Sequence, residues 1–412
     1  MLKDFRVLDL STEAALLCGK ILGDLGADVI KIENPGGDSA RHREPFCRDE
    51  PDPEKSLYWY ALNNNKRGVT LNIESAEGRE VLLSLIKRSD CVVESFPVGY
   101  MKDLGLDYPK LKEVNQRIIL TSISPFGQEG PYSNYKGSDV VCMAMGGFLY
   151  LCGDPDRPPV GVSLPHAFFF GGADAAAATM IAYYYREVSA EGQWVDISMA
   201  QSAALTSFNS VPWWQLERTV QERRGPFRKV GLAGGFTLRQ TWPCKDGFVV
   251  FILTAGAFGV RTNQLLTEWM DEEGLAPEFM KKMDWKVFDA AKLTPEFVND
   301  FDKHVGNFFL RHTMKELYDG AFERGMQLYP VSDCRALAEN IQLKDRGFWE
   351  SIEHSELGTS ITYPGAWVKM SEAVCGVRRR SPLIGEHNHE VFQKELGFSD
   401  EEMKTFKEAG VM

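Results

Sequence analysis

A chain of 412 residues, 44% of them hydrophobic, can bury a large core and is too long for one ordinary domain, so two domains are expected. Its formal net charge of −12 excludes a broad nucleic-acid or anionic-membrane surface as the main contact, because both demand a basic face. The cysteines at 18, 47, 91, 142, 152, 244, 334 and 375 form no CxxC pair and no Cys/His cluster with metal-ligand spacing, which points to reduced thiols and no metal site. With no signal-like leader and no apolar run long enough to span a bilayer, the expected location is the cytoplasm, with no membrane partner.

Short apolar runs alternate with helical patterns. Residues Phe5 to Leu10 read as a buried strand, and Ala14 to Gly26 as a helix closed by glycine. Val29 to Glu33 is the next strand, and the alternation continues through Val69 to Ile73, a helix around Gly78 to Arg88, Cys91 to Glu94, and Ile118 to Ser124. Strands separated by helices of this length imply right-handed crossovers. The expected fold class is α/β, a doubly wound, Rossmann-like parallel sheet in a large domain, with helices on both faces.

Composition changes after about residue 210. Gln221 to Pro226 is a charged linker, Gly231 to Gly235 a glycine-rich turn, and a helix-rich stretch then runs to about Gly320. The expected organisation is therefore residues 1–215 as the N-terminal part of the large domain, 222–322 as a smaller α+β domain, and 323–412 as a return segment that completes the first.

Several separated motifs carry a resemblance. They are Val7-Leu8-Asp9-Leu10 followed by Leu25-Gly26-Ala27-Asp28-Val29-Ile30-Lys31-Ile32-Glu33, then Asn64-Asn65-Lys66-Arg67-Gly68, Gly127-Gln128-Glu129-Gly130-Pro131, Gly192-Gln193-Trp194-Val195-Asp196, and Pro382 with Gly385-Glu386-His387-Asn388. Their order and spacing over nearly the whole chain resemble the family III CoA-transferases, the group of the formyl-CoA and carnitine CoA-transferases. The resemblance implies interlocked dimers and CoA thioesters as substrates, with no permanently bound cofactor. It also implies covalent catalysis in which an Asp carboxylate attacks the donor thioester, yielding a mixed anhydride and then an enzyme–CoA thioester that an incoming carboxylic acid resolves.

In that family the nucleophilic Asp precedes a Gly-containing pair and an Ala-rich helix ending in Arg. Here Gly171-Gly172, Arg186 and Gln193 anchor the comparison, and the nucleophile position holds Phe168. A phenyl ring has no lone pair with which to attack a thioester. His166 and Asp174 are the nearby fallbacks. Six residues along a helix turn Asp174 about 240° away from position 168, and a carboxylate in the first turns of a helix has an ordinary role beside the macrodipole. The racemase branch of the family, which relies on a His/Asp pair, is disfavoured because its His position is Ser138.

For CoA binding, the resemblance implies Arg41, Ser95, Phe96, Lys102 and Lys136, with Gly231, Gly234 and Gly235 in a loop that closes over the thioester. Two departures stand out: Asp103 occupies a position commonly held by a phosphate-contacting Arg, and the Gly-Pro pair usual after the first strand is absent. An unequal pair of subunits exists within the family, among the succinyl-CoA:benzylsuccinate CoA-transferases, and this chain resembles the Asp-lacking member. The resemblance therefore implies a non-catalytic subunit paired with a homologous Asp-bearing chain, moving CoA from a donor such as succinyl-CoA to a carboxylic acid such as benzylsuccinate. Aromatic residues at 168–170, 183–185 and 213–214 are compatible with an aromatic acid but read first as packing. Two rivals remain, a self-sufficient homodimer with an unconventional catalytic group and a non-enzymatic acyl-CoA binding protein.

Overall fold

Neighbouring residues of each strand diverge into different apolar clusters, and this sets the architecture. In β1 (Arg6–Leu10) Val7 packs into one cluster and Leu8 into another; Val29 and Ile30 split the same way, as do Cys91 and Val92, and Ile119 and Leu120. Strands apolar on both sides need helices over both faces. The structure, a computed structural model, describes residues 1–229 and 237–412. Its central sheet has six strands, β1, β2 (Asp28–Glu33), β3 (Lys66–Thr70), β4 (Cys91–Glu94), β5 (Ile119–Ser124) and β6 (Trp194–Ser198). They lie in the order β3-β2-β1-β4-β5-β6 and every pairing is parallel. This is the expected doubly wound sheet, and its order reverses direction between β1 and β4.

One face is covered by the helices Leu16–Asp24 and His166–Ser189, the other by Ala76–Ile86 and Tyr108–Val114 with Val391, Phe392, Val411 and Met412. The third strand begins at Lys66, earlier than the apolar run Val69–Ile73 suggested. Lys66 and Arg67 hid it, because a charged residue reads as solvent-facing unless its partner is known. Lys66 is fully buried, 2.8 Å from Asp9 of β1, and also donates to Asn63 and to the Leu16 carbonyl.

Edge strand β3 is closed by the C-terminal motif. The Gly68 amide donates to His387 Nδ1 and the His387 amide to the Gly68 carbonyl. Asn388 accepts the Thr70 amide at 2.9 Å and donates to the Thr70 hydroxyl at 2.8 Å. A short segment thereby satisfies an edge that would otherwise invite another strand.

The chain divides into two compact units. The first comprises Met1–Tyr150, Gly161–Gln221 and Ile341–Met412; the second comprises Leu151–Val160 and Glu222–Asn340. The second unit holds a three-stranded antiparallel sheet, Thr241–Pro243, Phe248–Val250 and Tyr329–Pro330, with a core that includes Trp242, Phe251, Phe301, Phe308 and Phe309. Pairing of Val249 with Pro330 keeps the chain in this unit beyond residue 322, so the return comes at Ile341 rather than 323. The segment 151–160 also belongs to the second unit, which the linear reading of the sequence did not anticipate.

Candidate functional site

The helix His166–Ser189 starts two residues before Phe168. Phe168 therefore sits in its first turn, 8% exposed, within the apolar cluster that includes Met143, Ala167 and Met199. The amides of a helix N-terminus seek an acceptor, and Asp139 supplies one. Its Oδ1 accepts from the Ala167 amide at 2.7 Å and the Phe168 amide at 3.4 Å. A carboxylate thus stands at this helix end, but it comes from another helix (Asp139–Met145) and is committed to two backbone donors. This cap was missed in the sequence, where Asp139 drew notice only as the neighbour of Ser138.

The fallback groups lie near but are not joined into a catalytic array. His166 Nδ1 donates to the Leu164 carbonyl at 3.0 Å, and its ring lies 5.7 Å from that of Phe170. Asp174 is half-buried, two turns further along. Gly171 and Gly172 serve close packing: a Cβ at 172 would lie 2.9 Å from Leu17 Cβ, and one at 171 would lie 2.9 Å from Met199 Cγ.

The carboxyl ends of β1 and β4 form the crevice at the point where strand order reverses, where open α/β sheets take ligands. Ser95 is there, its hydroxyl accepting the Thr12 amide at 2.8 Å and lying 3.1 Å from Thr12 Oγ1. Phe96 packs 4.7 Å from the Tyr100 ring, and Tyr100 donates to Glu74 at 3.0 Å. Lys102 and Lys136 are exposed.

Arg41 differs from these. It is wholly buried, bidentate to Glu33 at 2.6 and 2.9 Å, bonded to Glu54 at 2.6 Å and to the Pro382 carbonyl at 3.0 Å, and lies 3.8 Å over the Trp59 ring. With every guanidinium nitrogen engaged by the protein, Arg41 ties elements together rather than facing a nucleotide as its sequence context suggested. The glycine-loop positions Gly231, Gly234 and Gly235 lie outside the described residues. Among the described residues no cluster of His, Cys, Asp or Glu could hold a metal ion, and no helix is long and apolar enough to cross a membrane.

Beside Ser95, on the face opposite the 166–189 helix, the register aligns Glu94, Ser122 and Asp196 across three strands. Glu94 is 3% exposed and has no cationic partner within ion-pair distance among the described residues. Burial pushes its carboxyl up to about 7, against hydrogen bonds from Ser122 and the Phe96 amide that favour ionisation. Burial also raises Asp196, whose Oδ2 accepts the Gln128 amide at 2.9 Å. That last bond explains two motifs together, since it docks the Gly127-Gln128 loop onto the Val195-Asp196 strand.

The profile of CoA-transferase family III matches residues 2–388. The chain belongs to this family. Among the relatives of this family III chain are the succinyl-CoA:(R)-benzylsuccinate CoA-transferase subunit BbsE of Thauera aromatica, 34% identical over 94% of this chain and 92% of the relative. Another is the succinyl-CoA–L-malate CoA-transferase beta subunit of Chloroflexus aurantiacus, 29% identical over 100% of this chain and 98% of the relative. The formyl-CoA:oxalate CoA-transferase of Streptomyces coelicolor is 31% identical over 100% and 99%. A crystal structure of a CAIB/BAIF family protein from Brucella suis superposes with a TM-score of 0.80 at 25% identity, covering 95% of this chain and 98% of that one.

Within the family III chain, most signature motifs turn out to hold the scaffold. Arg186 bonds Asp90 at 2.9 Å from the end of its helix, and Gly192 leaves no room for a Cβ, which would lie 1.9 Å from the Ile118 carbonyl oxygen. The same long helix also carries Ile181, Tyr184, Tyr185 and Val188 on one exposed stripe, with Tyr184 76% and Val188 77% accessible.

Proposed function

We propose that this chain is the non-catalytic subunit of a CoA-transferase and works with a homologous, Asp-bearing subunit. The pair moves CoA from a donor thioester such as succinyl-CoA to a carboxylic acid, benzylsuccinate or a similar aromatic acid. The observation that carries the reading is Phe168: a buried ring stands where the family attacks the thioester, and the nearest carboxylate, Asp139, is held by the helix amides. Likeness to relatives named as subunits of CoA-transferases supports the pairing. So does the exposed apolar stripe at 181, 184, 185 and 188, since contiguous apolar surface on a helix calls for a cover. Ser95, Phe96, Lys102 and Lys136 remain the proposed CoA contacts.

The purified chain alone should transfer no CoA from succinyl-CoA to benzylsuccinate, and co-expression with an Asp-bearing homologue should yield a complex that does. Turnover by the isolated chain would reject the reading.

A further inference from the structure

The amino ends of β1, β2 and β3 frame a polar groove of about 440 Å³, at the opposite end of the sheet from the crevice beside Ser95. Arg6 opens β1, Asp28 opens β2 and Arg67 is the second residue of β3. Arg378, Arg379, Glu390 and Glu395 of the C-terminal segment supply the other wall. All three carboxylates are engaged within the protein: Asp28 pairs with Arg6 and Arg67, Glu390 with Arg67, and Glu395 with both of those arginines. Arg378 and Arg379 make no ion pair among the described residues. In a chain of net charge −12, two adjacent guanidinium groups stand without a counter-charge.

Their backbone is held in place. The buried Asn65 accepts the Arg378 and Arg379 amides on its Oδ1 at 2.7 and 3.1 Å, and donates from Nδ2 to the Gly376 carbonyl at 2.9 Å. Arg378 Nη2 donates to the Gly23 carbonyl at 2.8 Å.

The protons around His387 give a second, independent observation. The Gly68 amide donates to His387 Nδ1 at 3.1 Å, and the return bond from the His387 amide to the Gly68 carbonyl at 2.9 Å locks that contact to the strand edge. A neutral imidazole has one acceptor nitrogen, so with Nδ1 accepting, the ring proton sits on Nε2. Burial lowers the ring's pKa and keeps it neutral. Yet Arg379 Nη1, which can only donate, lies 3.4 Å from Nε2. Two donors face each other with no acceptor between them. One anionic oxygen set beside both resolves the conflict.

These features select a ligand class. A cation would meet two unpaired guanidinium groups and carboxylates that already have partners. A neutral carbonyl could accept the two protons but would leave the charge uncompensated. An oxyanion does both, and its paired oxygens match the guanidinium fork.

We infer that this groove binds a small oxyanion, a phosphate or carboxylate group that bridges the Arg379 guanidinium and the His387 Nε2–H and takes Arg378 as its second fork. Binding here needs no turnover, so the inference stands apart from the transfer reading.

The test is calorimetric titration of the full-length chain with inorganic phosphate and, separately, with malonate. Arg378→Ala and Arg379→Ala should each weaken binding by about tenfold or more, the loss expected for a charge-assisted hydrogen bond. Arg379→Lys should recover only part of the affinity, because an ammonium lacks the fork. Both arginines are exposed, so these variants keep the fold. Tighter binding of phosphate would assign a phosphate-bearing ligand, and tighter binding of malonate a carboxylic acid. Nitrogen NMR of His387 should place the ring proton on Nε2 and shift that nitrogen when the tighter anion is added. No binding of either anion at millimolar concentration, affinity indifferent to both alanine variants, or a ring proton on Nδ1 would overturn the inference.

Discussion

The two halves of the central sheet treat buried charge in opposite ways. In the β1–β3 half every deeply buried charge has a partner: Lys66 with Asp9 at 2.8 Å, Lys31 with Asp38 at 2.9 Å, and Arg41 with Glu33 at 2.6 Å. Burial alone would raise the Asp9 carboxyl, but Lys66 and Lys31 overcome it and hold that group below its usual range. In the β4–β6 half, Glu94 and Asp196 face one surface with only Ser122 between them, and both are shifted upward by burial. The paired half behaves as a welded joint between strands and helices. The unpaired half holds its two carboxyls by hydrogen bonds instead of ion pairs, Glu94 through the Phe96 amide and Asp196 through the Gln128 amide.

The largest effect should come from breaking the welded half. Lys66→Met removes the ion-pair partner of the buried Asp9, leaving it only the more distant Lys31 and the Ser11 donors, and should cost about 3–5 kcal/mol of unfolding free energy, enough to risk loss of the folded protein. Asp9→Asn in the same background should recover part of that loss, measured by urea denaturation.

The unpaired half should respond with the opposite sign. Glu94 is faced by Asp196 from β6, by Lys102 from the short helix Tyr100–Asp103, and by Asp107 and Tyr108 from the start of the helix Tyr108–Val114. Because its folded-state pKa is raised, its contribution to stability is complete below the ordinary Glu range and is lost as pH rises through about 7. Glu94→Gln removes that loss, so the variant should gain on wild type by up to about 3 kcal/mol between pH 4.5 and 8. Equal pH dependence in the two proteins would place Glu94 among the paired groups and erase the contrast.

A smaller effect belongs to the helix that both halves share through β1 and β5. Gly172→Ala forces a methyl to 2.9 Å from Leu17 Cβ and should cost about 1–3 kcal/mol by overpacking, read as a lowered Tm. Smallest is Arg117→Ala, which cuts an ion pair to Glu187 whose two side chains are nearly half exposed, and should change stability by no more than about 0.5 kcal/mol.

Strand order and helix placement were legible because apolar periodicity writes them locally. Val7-Leu8 and Val29-Ile30 announce a sheet covered on both faces before any contact is known. What stayed hidden depended on partners distant in sequence. Lys66 fell outside the expected strand because its partner Asp9 lies far from it along the chain, and the resemblance put Arg41 among the CoA contacts because Glu33, Glu54 and the Pro382 carbonyl could not be seen converging on it. The comparison that sets Phe168 at the nucleophile position rests on anchors at Gly172, Arg186 and Gln193, all close to it in sequence. The Asp139 cap at that helix end was not legible, since it joins residues 139 and 167 through a backbone amide. Glu94 was read only as the end of a strand; its unpaired burial appears once Ser122 and Asp196 are set beside it.

The central claim is that this chain completes a transferase without attacking the thioester itself. The most direct test is CoA transfer by a co-purified complex in which each subunit is changed in turn. Replacing the Asp of the partner subunit by Ala should cut turnover by about a thousandfold or more, as for loss of a covalent nucleophile. Phe168→Ala, His166→Ala and Asp174→Ala in this chain should each leave turnover within a few fold of wild type. Loss of activity from Asp174→Ala or His166→Ala, with the partner's Asp dispensable, would contradict the account and return the chemistry to this chain.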